Sequence, residues 1–428
     1  MTGERRLLDD CFLHDRDRLT HAEALSILKQ RVTCVVGHER IALAEANGRV
    51  LAETVSAPRD VPLTDNAAVD GYAFRHADLP AGGGTLPVST RIPAGHPATS
   101  ALVSGTAARI FTGAVMPQGA DSVAMQEDCR VHDLDGGQSV EIPGGLKAGA
   151  NRRRAGEDIA AGTELLSPGT RLRPQDLAAI ASTGAPEATV FRRPRIALVS
   201  TGDEIRRPGE TLPGGGVYDS NHFLLRALAG TAGAETTDLG VLEDRADSLA
   251  DALSGAASSH DVILTTGGAS RGEEDHLVET LDRLGKRHMW QLAIKPGRPM
   301  SFGQIGDCVV LGLPGNPVAA MICFLLYARP VISALGGAGF TTPRRFQVPA
   351  AFQVDRKKPD RREFYRGRLA SDDRGNTVVE KFERDGSGLI SGLRAADGLI
   401  EIPEVATEVA RGSLVDFIPF SEFGLAPR

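Results

Sequence analysis

The sequence predicts a multidomain fold of the α/β plus β type, and three observations carry that reading. The chain has 428 residues, more than one hydrophobic core usually serves. Over residues 195–336 apolar strand patterns alternate with helical ones. Residues 80–108, and the chain beyond Gly336 and Gly337, instead hold short alternating runs between Gly and Pro turns. A central three-layer α/β domain with a mostly parallel sheet is therefore expected, with an inserted small β-domain before it and a C-terminal β-barrel-like domain after it. A discontinuous helical N-terminal domain completes the chain. The expected boundaries are 1–47 with 151–190, then 48–150, 191–338 and 339–428.

Residues 1–17 read as a charged lead. THAEALSILKQRV is a helix opened by a capping box, Thr20 at the N-cap and Glu23 at N3, with Leu25, Leu28 and Val32 on one face. VPLTDNAAVDGYAF gathers Asp65, Asn66, Asp70 and Gly71 into a turn-forming stretch. In ARIFTGAV, Thr112 and Gly113 end a strand, where the Thr112 hydroxyl can bond a ligand or its own turn. NRRRAGEDI sets Arg152, Arg153 and Arg154 beside Glu157 and Asp158, a pattern usual for a solvated face. RPQDLAAIASTGAPE is a helix with Pro174 at its opening and Gly184 past its end, expected to return and pack on the Thr20 helix.

From Arg195 the elements change. RIALVSTGDEI is a strand, SNHFLLRALAGTAG a helix, AETTDLGVLED a strand, RADSLADALSGAAS a helix, and DVILTT a buried strand running into Gly267 and Gly268. Repetition of this kind gives a parallel sheet, whose ligands sit at the carboxyl ends of its strands. Those ends present Asp203 and Glu204, then Glu243 and Asp244, then Gly267 and Gly268 with Asp275. The glycines let backbone N–H groups approach an anion, and a helix starting near Glu273 adds its positive end. Glu273, Glu274 and Asp275 crowd carboxylates beside that anion, which suits a hard divalent cation, Mg²⁺. Lys295 and Arg298, fixed by Pro296, Gly297 and Pro299, supply cations for phosphate or another tetrahedral anion. GLPGNP is a compact loop whose following helix, from Val318, is expected to aim free N–H groups at the cleft. Neither a dinucleotide fingerprint nor a Walker loop is present.

A net charge of −7 argues against a broad nucleic-acid surface, and 5% aromatic residues give few stacking platforms. The cysteines, Cys11, Cys34, Cys129, Cys308 and Cys323, contain no C-x-x-C pair and read as buried small hydrophobes in a reducing compartment. The most apolar helix candidate, residues 318–326, is too short to span a bilayer and soon meets Arg329 and Pro330. With no signal-peptide pattern at the start, a cytoplasmic protein without membrane attachment is expected.

TTGGASRGEED, IKPGRP and GLPGNP together resemble the signature of the molybdopterin molybdenumtransferase family, the MoeA type that includes the C-terminal domain of gephyrin. The resemblance extends over nearly the whole chain. DNAAVDGYA is similar to the family's DNSAMDGYA, RRRAGED to its RRRGED with Ala155 inserted, and EFYRGRL and DGSGLI to two C-terminal stretches. It implies insertion of molybdate into adenylylated molybdopterin with release of AMP, giving molybdenum cofactor, in an Mg²⁺-dependent homodimer whose site lies between domains of two subunits. It further implies that Asp65 and Thr112 orient the pterin nucleotide, with Asp158 at the cleft. Glu204, Asp244 and Asp275 would hold Mg²⁺. Lys295, Arg298, Arg366, Ser270 and Ser387 would hold molybdate or phosphate, with Gly267, Gly268 and Pro314 in the same substrate site. Asp65, Asp275, Lys295 and Arg298 form the implied catalytic set. Arg298 stands where the family has a second lysine, and Val318 and Ala319 where relatives commonly have Ser. Molybdopterin adenylyltransferase and molybdoenzyme-maturation proteins are the implied protein partners. Two other readings stay open: a molybdopterin adenylyltransferase, whose fold the α/β domain resembles, and a non-catalytic carrier or scaffold for the cofactor.

Overall fold

The computed structural model describes residues 18–134, 137–242, 246–267 and 276–426. The charged lead expected at residues 1–17 lies outside them. The molecule is built on a seven-stranded sheet. Its strands, in chain order, are β1 (Arg18–Leu19), β2 (Arg195–Thr201), β3 (Glu235–Leu242), β4 (Val262–Thr266), β5 (Lys286–Leu292), β6 (Pro299–Ile305) and β7 (Cys308–Leu313). The spatial order is β1-β5-β6-β7-β4-β2-β3. β2 runs parallel to β3 and β4, β4 to β7 and β1 to β5, while β6 is antiparallel to both β5 and β7.

The main helices are α1 (His21–Arg31), α2 (Pro174–Ser182), α3 (Ser220–Thr231), α4 (Ala246–Ser259), α5 (His276–Leu284) and α6 (Pro317–Leu335). Successive strand residues point to opposite faces of the sheet. Ile196, Leu198, Val262, Leu264, Val309 and Leu311 accordingly join one core with α1, α3 and α6. Ala197, Val199, Ile263 and Val310 join a second core with Leu249 and Leu253 of α4 and Leu281 of α5. Both faces are covered, which gives the three layers and explains why these strands read as continuous apolar runs.

Three features depart from the sequence reading. α1 is capped as expected, with the Glu23 N–H donating to Thr20 Oγ1 at 3.3 Å and the Thr20 N–H to Glu23 Oε2 at 2.8 Å. Its buried Ala24 and Leu28, however, enter the core under α3 and α6 and not a contact with α2. α2 packs Ile180 with Leu51, Leu172 and Val190. The discontinuity is made by strands: His38–Ala42 pairs antiparallel with Glu187–Phe191, and this pair offers α2 its apolar partners. Second, α6 does not stop at Arg329 and Pro330 but runs for 19 residues, and 94% of its most apolar 18-residue stretch is buried. A π-helical turn, Phe324–Ala328, in which the Arg329 N–H donates to the Phe324 carbonyl, precedes Pro330. The wider turn absorbs the missing N–H and the ring of the proline. By length and composition α6 could cross a membrane, yet its side chains form the shared core of the molecule. Third, Cys308 and Cys323 are buried, but Cys129 is half-buried and Cys34, on the extended segment leaving α1, is exposed.

A six-stranded sheet forms the inserted region, in the order Ser122–Met125, Gly71–Phe74, Ala107–Ile110, Gly83–Ile92, Gly137–Pro143, Arg130–Leu134. Short pairs lead in and out of it, Asn66–Ala67 with Arg152–Arg153 and Val55–Ser56 with Glu164–Leu166. In the C-terminal region Arg362–Ser371, Gly398–Ile402, Leu414–Pro419 and Phe346–Pro349 are successive neighbours. Thr377–Lys381 pairs with the first of these and bridges Ala350, so the sheet curls round an interior of Tyr365, Val379, Ile400 and Phe417. Ile294–Lys295 adds to this sheet parallel to Arg362–Ser371, with Lys295 opposite Glu363. That pairing ties the α/β unit to the barrel.

Candidate functional site

A cleft of 1320 Å³ opens at the carboxyl ends of β2 and β4, where a parallel sheet places its loops side by side. Thr201, Asp203 and Glu204 come from the end of β2, and Thr266 and Gly267 from the end of β4. Lys295 and Pro296 follow β5, and Pro314, Gly315 and Asn316 precede α6. Asp219 and Asn221 stand at the start of α3, and the barrel contributes Asp385, Ser387 and Gly388. Of the residues expected from sequence, the structure therefore brings Glu204, Gly267, Lys295, Pro314 and Ser387 together. Gly268, Ser270, Asp275 and Asp244 lie outside the described residues.

Local geometry shows what these residues can do. Gly267 has φ of +91°, and a Cβ there would stand 3.1 Å from both the carbonyl and the hydroxyl oxygen of Thr201, so the loop requires glycine. Its own N–H goes to the Leu313 carbonyl at 3.2 Å, so Gly267 shapes the loop and offers no free donor. The start of α6 is likewise poorer in donors than expected: Pro317 has no N–H, and that of Val318 goes to the Ser387 carbonyl at 3.0 Å. The same bond pins Ser387 to the cleft wall.

Lys295 Nζ lies 3.7 Å from Glu363 Oε2. Glu363 is buried, and its carboxylate accepts from Arg361 Nε at 2.7 Å and from the Tyr365 hydroxyl at 2.6 Å. Among the described lining residues Lys295 is the only cation, against Asp203, Glu204, Asp219 and Asp385. Asp219 pairs with Arg207 at 3.1 Å and Asp385 with Lys381 at 2.6 Å, whereas Asp203 and Glu204 are exposed. An excess of carboxylate oxygens fits a hard divalent cation and is adverse to an anion without one. Among the described residues no group of three metal-ligating side chains forms.

Arg366 sits behind the cleft and not in it. It is buried, donates from Nη1 to the Gly386 carbonyl at 3.0 Å and from Nη2 to the Arg384 carbonyl, and lies 5.1 Å from the centre of the Phe382 ring. Burial holds its pKa below the usual guanidinium value. Arg366 thus braces the loop that carries Asp385 and Ser387. Arg298 is exposed and is not among the lining residues.

Asp65, Thr112 and Asp158 also lie apart from the cleft lining. Met116 N–H donates to the Asp65 carbonyl at 2.8 Å and Gly113 N–H to the Ala67 carbonyl at 2.9 Å, which sets the Thr112 loop against Asp65. Asp65 Oδ1 accepts from the Ala155 N–H at 2.8 Å, and its Oδ2 is 3.5 Å from Arg152 Nη1. Arg152 is the arginine turned inward; Arg153 and Arg154 are exposed. Thr112 gives both its N–H and its hydroxyl to Asp70 Oδ1 at 2.7 Å, and these bonds hold the Asp70 carboxyl below its ordinary pKa. Asp158 is exposed, its N–H donating to the Val61 carbonyl at 3.1 Å.

Tyr218, Asp219, Asn221 and Asp385 line the cleft without having been expected from sequence. The available signal was YDSN, an N-cap Asp immediately before a helical pattern, which places a helix start near a strand end.

A three-layer α/β unit with a strand-end cleft, completed by a barrel loop and preceded by an inserted β region, defines a multidomain α/β protein that binds at the carboxyl ends of its parallel strands. Residues 19–184 match the model of the MoeA N-terminal region (domain I and II), residues 197–334 that of a probable molybdopterin binding domain, and residues 347–420 that of the MoeA C-terminal region (domain IV). The molybdopterin molybdenumtransferase of Haemophilus influenzae is 34% identical over 404 residues, 94% of this chain and 99% of that one. That of a Nostoc species is 39% identical over 307 residues, 70% of each chain. The crystal structure of a molybdopterin biosynthesis MoeA protein from Pyrococcus horikoshii superposes with a TM-score of 0.81 at 28% identity, covering 94% of this chain and 100% of that one. The chain belongs to the molybdopterin molybdenumtransferase family.

Proposed function

We propose that this protein inserts molybdate into adenylylated molybdopterin, cleaving the phosphoanhydride and releasing AMP. The observation that carries the reading is the cleft itself, where Lys295, the Gly267 loop, the start of α3 and Ser387 of the barrel converge from separate parts of the chain. The reaction must bring two anions together, which fixed cations and oriented dipoles in a shaped site make possible. Lys295, with Ser387 and Ser270, would hold molybdate or the phosphate. Arg366 acts as a positioning residue through the loop it braces, and Arg298 adds positive charge at the rim.

Glu204, Asp244 and Asp275 would hold Mg²⁺, which when bound offsets phosphate charge. The exposed carboxylates of Asp203 and Glu204 at the cleft support that assignment. Asp65, Thr112 and Asp158 lie away from the lining of their own cleft, which supports a homodimer in which they face the cleft of the other subunit. The division into 1–47 with 151–190, 48–150, 191–338 and 339–428, in a cytoplasmic enzyme, is part of the proposal; the antiparallel pair His38–Ala42 with Glu187–Phe191 supports joining 38–47 to 187–190, whereas β1 and α1 belong with the α/β unit.

The test is AMP release from adenylylated molybdopterin by the purified protein, with and without molybdate and with and without Mg²⁺. Release that depends on molybdate and yields active cofactor is the expected result. Tight binding without release would favour a cofactor carrier instead.

A further inference from the structure

We propose that a pocket at the amino-terminal end of β2, the end opposite the cleft, is a second anion site that takes a tetrahedral dianion, free or as a phosphomonoester. The pocket, 240 Å³ in volume, lies between the loops that flank the His38–Ala42 and Glu187–Phe191 pair and the last turns of α3 and α6. It shares no residue with the cleft, so it stands apart from the transferase reading. Arg49, Arg171, Arg192 and Arg193 line it, and among the described residues no carboxylate does. Arg329 of α6 stands beside it, with Nη1 3.3 Å from Thr231 Oγ1 in the pocket wall.

Arg49 is already engaged, its Nη2 donating to Glu39 Oε1 at 2.5 Å and to the Phe191 carbonyl at 2.9 Å. Arg171 donates from Nη1 to the Gly48 carbonyl at 2.9 Å and from Nη2 to the Ala232 carbonyl at 3.1 Å. Gly233 leaves room for that guanidinium, since a Cβ there would stand 2.7 Å from Nη1. Among the described residues no carboxylate pairs with Arg171, Arg192, Arg193 or Arg329. No guanidinium nitrogen of Arg171 or Arg329 is both sealed from solvent and unbonded, so the donors left over are open to a ligand. Burial and then Arg193 hold the pKa of Arg171 down, and burial and then Arg171 bring Arg329 to about 10. These arginines therefore feel one another and no counter-charge.

Capping of helix ends is the plainer account, because the last carbonyls of a helix carry about half a negative charge. Arg171 does bond the end of α3. In α6, however, the carbonyls of Ile332, Ser333 and Ala334 already accept from the N–H groups of Gly336, Ala338 and Gly337. Two helix ends offset roughly one of the four unpaired positive charges, which leaves about three. They gather in one pocket of a chain whose net charge is −7. A tetrahedral dianion accepts in several directions from forked donors, which is what guanidinium groups arranged round a pocket offer. Val50, Phe191 and Ile332 give the same pocket an apolar wall that suits the organic part of a monoester. A ligand held there touches both the N-terminal strands and the α/β unit, so binding should raise the melting temperature.

The experiment is calorimetry and thermal unfolding of the full-length protein with inorganic phosphate and with glycerol phosphate, at constant ionic strength set with chloride. The variants are Arg193→Gln, Arg171→Gln and, as a control on the cleft, Lys295→Ala. Wild type and Lys295→Ala should both bind and both melt higher with ligand. Arg193→Gln and Arg171→Gln should each bind at least about tenfold more weakly. Arg193 is exposed, so its variant carries the test if Arg171→Gln is poorly folded. Tighter binding of phosphate identifies a free anion as the ligand and tighter binding of the ester an organic phosphate, and either ranking upholds the site. Affinity that both arginine variants keep overturns the inference, and its loss in Lys295→Ala alone would place the anion in the cleft. Absence of binding to the wild type at millimolar concentration also overturns it and leaves the arginines as helix caps.

Discussion

The cleft and the Asp65–Thr112 cluster are built in opposite ways. The cleft collects side chains from β2, α3, β4, the loops around Lys295 and Pro314, and the barrel, and the carboxylates of Asp203 and Glu204 in it are exposed. In the cluster, Thr112 is bonded to Asp70, Asp65 to Ala155 and Arg152, and the loops to one another. A region whose polar groups satisfy each other is a folded unit already, whereas one with a half-exposed lysine and exposed carboxylates has groups left to engage a ligand. Under the proposed function, the chemistry is centred on the cleft and the cluster offers a preformed surface.

The largest effect expected from that contrast is at Lys295. Its side chain is 38% exposed and its ion pair with Glu363 is long at 3.7 Å, so Lys295→Ala should leave the unfolding midpoint nearly unchanged. Molybdate-dependent AMP release should fall by about 10²–10³-fold, the range for removing a preorganised charge from a site of this kind. Steady-state turnover measured beside a thermal melt checks both halves. A loss of less than about tenfold would break the contrast.

A second effect concerns what holds the cleft half together. His21 of α1 is buried, with Nδ1 2.7 Å from the Tyr327 hydroxyl of α6. Burial first, and then Arg362 and Arg345, push its pKa down to about 3. The folded value lies below the unfolded one, so as pH falls below about 6.5 the unfolded chain takes up a proton that the folded chain refuses. Stability present at pH 7 is therefore lost progressively toward pH 3, by about 3 kcal/mol between pH 7 and pH 4 from this group. Urea titrations across that range should show a flatter pH dependence for His21→Phe than for the wild type, and equal slopes would remove His21 from the account.

Arg366 offers a smaller and more pointed test. As a brace for the 384–387 loop, Arg366→Ala should destabilise the protein by about 2 kcal/mol, through two lost carbonyl bonds and the Phe382 contact. Turnover should fall in step with the loosening of the loop. Lost turnover at unchanged stability would mean that its guanidinium reaches the anion directly and would enlarge the cleft's cationic side.

The legibility of the molecule follows the same division. The α/β unit was readable because each buried strand is an apolar run and ends in residues of unusual chemistry, so the carboxyl ends could be aligned from sequence. The roles of Arg366 and of the α6 amides were not readable, because they depend on bonds to residues far away in the chain, such as Ser387 with Val318. The length of α6 was hidden by Pro330, whose effect is absorbed by a π turn that composition does not announce. Asn221 was missed because a residue just after an N-cap reads as ordinary helix chemistry until its neighbours across the cleft are known. The partner of α1 was mistaken since an amphipathic face states that something covers it and not what.

The least perturbing test asks where the cluster acts. If Asp65 and Thr112 face the cleft of the other subunit, a site is damaged by Asp65→Ala on one chain or by Lys295→Ala on its partner, and each variant alone is inactive. In a two-fold dimer carrying one chain of each kind, both lesions fall in one site and the second site is intact. Random exchange makes half the dimers mixed, so an equimolar mixture should recover roughly a quarter of wild-type turnover. Recovery requires subunit exchange, so it should appear with the time course of dissociation and be absent from freshly mixed samples. If the mixture stays inactive after exchange has been shown by a tagged subunit, the cluster serves its own chain's cleft or none, and the contrast between the two regions would then describe separate functions within one subunit.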